Sequence, residues 1–202
     1  MKIKYSAIFV LLAVFIILNP VFALSGDEAV ANFKARMSSI GTLEGVISIT
    51  YSSGNIQSGN FKYMAPGKIY VKFTNPAGKI IVSNGKKLWI YDTSSAICGV
   101  QELGGGGSGG IASFVNGYYA IATSRGSDTI IKLKSSGKTY SEVTLLVDSL
   151  FTMKNASFRD DKGNGFSISL SGLRVGENMH AGLFDFDVPS NAQLVKDPLN
   201  IR

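Results

Sequence analysis

Residues 61–92 alternate apolar and polar side chains in short segments that are separated by turn residues. Two X-Pro steps and the Asn84-Gly85 dipeptide divide the stretch, and these residue types favour tight turns. Because successive side chains of a strand point to opposite sides, the alternation places the apolar members on one face. The stretch therefore predicts a twisted antiparallel sheet with one apolar face. Its apolar members are Phe61, Tyr63, Ile69, Val71 and Phe73.

The first residues are typical of an export signal. Lys2 and Lys4 precede an apolar run at 7–18, Asn19-Pro20 ends that run, and Ala23 fits the small-residue rule for cleavage. The apolar run is shorter than the ~20 residues of a membrane-spanning helix. We therefore predict a signal peptide over residues 1–23, cleaved near Ala23, with an uncleaved anchor as the alternative. Residues 24–202 then form a single domain by the usual size of domains.

Charge and cysteine usage narrow the classes of function. Removal of residues 1–23 lowers the net charge from +6 to +4, and the remaining Lys and Arg residues are scattered. A nucleic-acid-binding face needs a concentrated basic stripe, so we expect no nucleic acid partner. The only cysteine, Cys98, cannot form an internal disulfide, and it does not follow the cleavage site, where a bacterial lipoprotein would be acylated. We expect Cys98 to be either buried or free for intermolecular pairing, and the mature chain to be soluble.

Residues 27–40 have the spacing of an amphipathic helix. Ser25 is a suitable N-cap, and Glu28 stands three residues later as its capping-box partner. Gly41 ends the pattern. The apolar residues recur at spacings of four, four and three, which predicts one buried stripe. That stripe consists of Ala29, Phe33, Met37 and Ile40.

The rest of the chain is predicted to be mostly β-strand, because its apolar residues recur with period two between turn residues. A glycine-serine run at 104–110 predicts a loop, and helical spacing at 111–122 predicts a second, short helix. Trp89 and Tyr91 share one strand face, where they either pack in the core or line a ligand cavity. Residues 160–164 (DDKGN) have the composition of a turn and are predicted to connect two strands as a hairpin. The predicted strands cover residues 43–51, 57–64, 68–74, 79–83, 86–92, 97–103, 129–134, 142–148, 151–159, 165–170 and 184–188.

Residues that could carry catalysis are few and poorly placed. The glycines of 104–109 match a dinucleotide-binding pattern, but no strand-helix-strand context surrounds them. His180 is the only histidine and lies in a polar, turn-like segment, and one histidine with one cysteine cannot supply a usual zinc ligand set. The paired carboxylates at 160–161 and 185–187 are expected at a turn and on a solvent-facing strand. We therefore expect no catalytic residue, no metal and no cofactor.

Three segments together resemble the periplasmic outer-membrane lipoprotein carrier protein family (LolA type). They are FKYMAPGKIYVKF, NPAGKIIVSNGKKLWIYD and the late FDFDVPSNAQLV, and the resemblance covers most of residues 27–196. It implies a mainly β fold with α: an incomplete antiparallel β-barrel, or half-barrel, with a lid of short helices over its concave face. It also implies a non-catalytic, monomeric periplasmic carrier. Such a carrier takes acylated lipoproteins or lipids from an inner-membrane ABC transporter to an outer-membrane receptor.

The resemblance also implies which residues contact the acyl chains. Met37 matches a lid position, Ile69 and Val71 match sheet positions, and Phe114 and Val115 match apolar lid residues. The chains are expected in a trough that the protein's own interior leaves unfilled. With the neighbouring apolar positions of the helices and strands, the predicted lipid-binding residues are Phe33, Met37, Ile40, Ile47, Ile49, Phe61, Tyr63, Ile69, Val71, Phe73, Phe114, Val115 and Tyr118.

One departure and two alternatives accompany this interpretation. Many members of the family have an arginine that pins the lid shut just before the proline of the second strand, and here that position is Ala65. The main alternative is a non-catalytic envelope sensor or interaction protein of the same half-barrel fold, whose apolar face binds a membrane partner. A secreted hydrolase is the other alternative, and it would have to use His180.

Overall fold

The computed structural model describes residues 24–103 and 111–198, and these form one large curved sheet with a helix against it. Among the described residues, no helix is long and apolar enough to span a membrane. The glycine-serine run and the signal peptide that the sequence predicts lie outside the described residues. The helix is α1 (Gly26–Ser39), and two 3-10 helices cover Ile111–Val115 and Ala181–Phe184. The strands are β1 (Thr42–Tyr51), β2 (Ile56–Met64), β3 (Lys68–Asn75), β4 (Ala77–Asn84), β5 (Lys87–Asp92), β6 (Ile97–Glu102), β7 (Tyr119–Arg125), β8 (Asp128–Lys134), β9 (Glu142–Val147), β10 (Met153–Arg159), β11 (Gly165–Val175) and β12 (Gln193–Lys196).

The strands form a single open sheet. Their order is β12-β6-β5-β4-β3-β2-β1-β11-β10-β9-β8-β7, and the pairing is antiparallel except between β12 and β6. Two runs of hairpin-connected strands therefore meet where β1 pairs with β11. Since β12 and β7 stand at opposite edges and do not pair with each other, the sheet is an incomplete barrel, as the family resemblance implies.

The pairing register decides which side chains share a face of the sheet. Phe61, Val71, Ile81 and Ile90 are successive cross-strand partners, so their side chains point to the same side. The buried residues of α1 belong to the same apolar cluster as Phe61 and Val71. We call the side of the sheet that α1 covers the interior face, and the other side the outer face.

Local sequence accounts for α1. The Ser25 side chain accepts a hydrogen bond from the Glu28 N–H at 3.1 Å, and acidic residues occupy the first turn, where the helix dipole favours them. The helix ends where Ile40 turns extended and leads into β1. Its predicted apolar stripe is buried, so the prediction of the stripe and that of Ser25 as the N-cap are confirmed.

The predicted helix at 111–122 is wrong. Only Ile111–Val115 is helical, as a 3-10 helix, and β7 begins at Tyr119. Gly117 lies between them at φ 76°, a conformation that interrupts a right-handed helix. Beyond it, Ala120 is buried while Tyr119 and Ile121 are exposed, and this is the alternation of a strand. The lid that the structure describes thus consists of α1 and one 3-10 helix.

The end of the chain also differs from the prediction. Residues 184–188 do not form a strand, because Phe184 closes the second 3-10 helix and residues 185–188 are irregular. A strand that the sequence pattern did not predict, β12, pairs in parallel with β6. All four residues of β12 are exposed. Their sequence therefore has no alternation of apolar and polar residues that would predict a strand.

Candidate functional site

The space between α1 and the interior face is an apolar cluster to which every predicted lipid-binding residue contributes. The fully or nearly fully buried members among them are Phe33, Met37, Ile40, Ile47, Phe61, Tyr63, Val71, Phe73 and Val115, and the partly buried members are Ile49, Ile69, Phe114 and Tyr118. The strand residues that the sequence predicts on one apolar face therefore lie on the interior face in the structure.

The interior is filled by the protein's own side chains rather than left open. Phe33 is fully buried and meets Phe114 edge-on, with 5.9 Å between ring centroids. Met37 and Val115 are also buried. The expectation of an unfilled trough is therefore not met in this state, and a ligand could enter the interior beside α1 only by displacing side chains of the lid.

Apolar packing dominates the attachment of α1 to the sheet. The helix lies against β7, β8 and the first 3-10 helix. Among the described contacts, Arg36 Nε donates one hydrogen bond to Thr152 Oγ1 at 3.0 Å. At the other end of the helix, a Cβ added to Gly26 would lie 2.0 Å from the carbonyl oxygen of Ala120. The close approach of α1 to β7 thus requires glycine at position 26.

The sequence prediction missed the half of the interior that β8, β9 and β10 contribute. These strands show the same alternation as the earlier ones, and this signal was sufficient to assign their interior residues. The missed interior residues are Ile131, Leu133, Val143, Leu145, Val147, Met153 and Ala156.

One end of the interior is lined by aromatic rings. Phe158 and Phe166 stack with centroids 4.8 Å apart, and Tyr140 meets both of them at 5.6 Å. Tyr51 lies beyond Phe166 at 6.4 Å, at the end of β1. A cavity of about 680 Å³ opens here, lined by Tyr51, Tyr140 and Phe166 together with polar residues. We call the region of Tyr51, Tyr140, Phe158 and Phe166 the aromatic end.

A second, smaller apolar cluster lies on the outer face. Trp89 and Tyr91 both contact Phe186, with centroids 6.4 Å and 5.7 Å away, and Phe184 is fully buried against β3 and β4. Trp89 and Tyr91 therefore pack beneath the C-terminal segment and do not line the interior. Cys98 is fully buried, and burial raises the pKa of its thiol.

Glu44 pairs with two cations on the outer face. Arg174 Nε donates a hydrogen bond to Glu44 Oε1 at 2.9 Å, and Lys62 Nζ lies 3.4 Å from Glu44 Oε2. The hydrogen bond from Arg174 holds the pKa of the Glu44 carboxyl below its ordinary value, although burial opposes the effect. These ion pairs tie β1 to β2 and β11, where the two halves of the sheet join.

The residues that the sequence offers for catalysis have structural roles. His180 is exposed, and its Nδ1 accepts the Gly182 N–H at 3.1 Å to cap the second 3-10 helix. Asp160 Oδ1 accepts N–H groups of its own hairpin turn, from Lys162 and Asn164. Within the described ranges, no group of three or more metal-ligating side chains comes together.

Comparison with known proteins identifies a family for this chain. The model of the family described as "Outer membrane lipoprotein carrier protein LolA" matches residues 46–187. An outer-membrane lipoprotein carrier protein of Legionella pneumophila (strain Lens) is 28% identical over 148 residues, which is 69% of this chain and 73% of the relative. That of Shewanella woodyi is 26% identical over 196 residues, covering 91% and 92%. An uncharacterised conserved protein from Thermus thermophilus shares the fold, with a TM-score of 0.57 at 13% identity, covering 84% of this chain and 98% of that one.

Proposed function

Because the chain belongs to the outer membrane lipoprotein carrier protein (LolA) family, we propose that it shields the acyl chains of lipoproteins or lipids between α1 and the interior face. The family consists of non-catalytic carriers, so the chain is not an enzyme. The proposed carrier works in the periplasm after removal of residues 1–23. There it receives cargo from an inner-membrane lipoprotein-releasing transporter and delivers it to the outer membrane, where a receptor accepts it.

One observation carries this proposal: the interior face and α1 enclose an apolar region, and side chains of α1, which is not a strand of the sheet, fill part of it. Phe33 and Met37 occupy space that faces the sheet strands, and α1 is joined to the sheet mainly by apolar contacts. An acyl chain offers the same chemistry as these side chains. It can therefore replace them without leaving polar groups of the sheet unsatisfied.

The exchange explains how a carrier can both hold and release its cargo. Each methylene removed from water contributes roughly 0.8 kcal/mol, so several acyl chains in an open trough would bind too tightly for release. When the cargo leaves, α1 regains its contacts with the interior face. The net free energy of binding is the difference between the free energy of burying the acyl chains and the free energy of burying the α1 side chains that they displace. The net affinity is therefore much weaker than burial of the acyl chains alone would give.

The test compares two isoleucines of neighbouring strands that are buried to a similar extent on opposite faces. Ile69 on β3 belongs to the interior cluster, and Ile80 on β4 points to the outer face. A carboxylate in the interior must be desolvated when an acyl chain covers it, at a cost of several kcal/mol. We expect Ile69→Glu to abolish binding of a fluorescent palmitoyl probe, because each 1.4 kcal/mol of that cost lowers the affinity about tenfold.

Ile80→Glu is the control and should bind the probe as the unmodified protein does. Circular dichroism and urea unfolding establish that both variants are folded. Unchanged uptake of the probe by folded Ile69→Glu would contradict the proposed site. Lipid extraction and mass spectrometry of protein purified without detergent test the function directly, and consistently empty protein that copurifies with a membrane regulator would favour an interaction protein instead.

A further inference from the structure

The interior is closed at one end and open at the other. We propose that cargo acyl chains enter at the aromatic end, with the terminal methyl leading and the head group remaining outside beside Lys79. This inference rests on the proposed function and adds to it the entrance and the direction of the bound chain.

The large side chains that β1 directs to the interior face become more exposed toward the aromatic end. Leu43 is 0% exposed, Ile47 is 9% exposed and Tyr51 is 37% exposed, and all three share the interior face. An apolar path thus runs from solvent at Tyr51 to the closed interior at Leu43. A hydrocarbon chain that entered here would lose contact with water progressively, without crossing a polar barrier.

The rings of the aromatic end continue into the centre of the interior. Phe166 stacks on Phe158, Phe158 meets Phe114 at 5.6 Å between centroids, and Phe114 meets Phe33 at 5.9 Å. The series joins the exposed Tyr51 to a fully buried residue of α1. Such flat side chains can shift to admit a chain between them while they keep apolar contact with it.

The cavity at this end has the size and the lining of an entrance. Its volume of about 680 Å³ lies within the range of ligand sites, roughly 300–1,000 Å³. Polar side chains form its rim, including Gln57, Asn55 and Lys79. Lys79 is the cation of β4 at this rim, where it faces the Asp92 carboxylate. An aromatic wall with a polar rim suits a molecule that has an apolar tail and a hydrophilic head.

At the opposite end, hydrogen bonds hold β1 to both neighbouring strands, and one hydrogen bond holds α1 to the sheet. The Ala65 N–H donates to the Gly41 carbonyl oxygen at 2.8 Å, and the Gly176 N–H donates to the Thr42 carbonyl oxygen at 3.1 Å. Arg36 joins the last turn of α1 to Thr152 on this side, and Ile40 is fully buried. Entry at this end would have to break the Arg36–Thr152 bond and displace the buried Ile40, and neither contact lies at the aromatic end.

The test places a tryptophan at each end of the interior. Trp89 is the only tryptophan, so Trp89→Phe gives a silent background, in which Tyr140→Trp reports the aromatic end and Tyr63→Trp reports the closed end. The probes are palmitoyl chains brominated near the carboxyl group or near the methyl end, since bromine quenches tryptophan only at short range. We expect carboxyl-end bromine to quench Tyr140→Trp more strongly, and methyl-end bromine to quench Tyr63→Trp more strongly.

The reverse pattern would overturn the proposed direction while leaving the carrier function intact. No quenching of either reporter by either probe would overturn both, because no chain would then occupy the interior. These two failures are therefore distinguishable.

A second experiment blocks the entrance in a Cys98→Ser background. Tyr51→Cys and Val46→Cys lie on the same strand with similar exposure, 37% and 43% for the native side chains, but on opposite faces. A bulky maleimide label at Tyr51→Cys should slow uptake of the palmitoyl probe by roughly tenfold or more. The label at Val46→Cys should leave uptake unchanged. Equal rates for the two labelled proteins would overturn the proposed entrance even if Tyr140→Trp proved unstable.

Discussion

Replacing Phe33 by alanine separates the stabilising role of α1 from its proposed competition with cargo. Phe33 is fully buried and contacts Phe114 edge-on. A buried Phe→Ala change costs about 3–5 kcal/mol of unfolding free energy. Folded domains have about 5–15 kcal/mol in total. We therefore expect Phe33→Ala to be folded but clearly less stable. If Phe33→Ala does not fold, Phe33→Leu is the milder substitution for the same measurement.

The same change should strengthen acyl-chain binding. The space vacated by Phe33 lies where the chain is proposed to bind, so the chain competes with fewer contacts of α1. If the acyl chain regains about 1.4 kcal/mol of the packing free energy that α1 has lost, the affinity for the palmitoyl probe rises tenfold. A variant that is less stable alone is then expected to bind more tightly.

Phe184→Ala is the matched control. Phe184 is as completely buried as Phe33, but it lies on the outer face in the second 3-10 helix. The same atoms are removed, and the expected loss of stability is again about 3–5 kcal/mol. Because Phe184 is not part of the interior cluster, we expect the affinity for the probe to be unchanged.

Probe titration and urea unfolding with and without ligand measure both quantities. Ligand at a hundred times its dissociation constant adds about 2.7 kcal/mol of stability, so at one fixed ligand concentration the gain should be larger for Phe33→Ala than for Phe184→Ala. Weaker binding by folded Phe33→Ala would refute the competition. Equal gains for the two variants would refute it as well.

Three further changes test the lid and the sheet. Gly26→Ala places a Cβ 2.0 Å from a carbonyl oxygen of β7, so it should loosen α1 and speed probe uptake, whereas Gly41→Ala, with nothing within 4 Å, should not; equal uptake rates would count against this. Ala65→Arg, beside the C-terminal end of α1 through its bond to Gly41, should slow cargo release because cations favour helix C-termini and the lid would close more firmly; an unchanged transfer rate would mean that no latch forms. The pKa of Glu44 is lowered by its bond from Arg174, so its stabilising contribution is present above about pH 4.3 and is lost as pH falls through the lowered pKa. Glu44→Gln should therefore flatten the acid side of the curve of unfolding free energy against pH, and an identical curve would exclude this contribution.

Sequence reasoning was most successful where burial leaves a periodic trace. The alternation through Phe61, Val71 and Phe73 predicted both the strands and their interior face, because one side of each strand faces the apolar interior and the other side is more exposed. The cap at Ser25 and the stripe of α1 were predicted for the same reason. These are local consequences of chain geometry.

It failed where a short segment takes its conformation from distant contacts. Residues 111–122 have apolar spacing that suits a helix, yet β7 forms because β8 offers it a ladder of hydrogen bonds. Residues 193–196 have exposed side chains and become a strand only through pairing with β6. The apolar character of Phe184 favours its burial, but the sequence does not specify where it is buried. Its position against the outer face depends on the path of the chain after β11.

The sequence alone determined that the chain forms amphipathic strands preceded by one amphipathic helix, because those patterns depend only on the spacing of apolar residues. It also determined the side of each early strand that avoids water. Only the tertiary structure decided that α1 fills the interior with Phe33 and Met37, that β12 extends the sheet, and that Tyr51, Tyr140 and Phe166 gather at one open end. Those outcomes depend on the curvature of the sheet and on which distant segments come into contact. The spacing of apolar residues along the chain specifies neither of these.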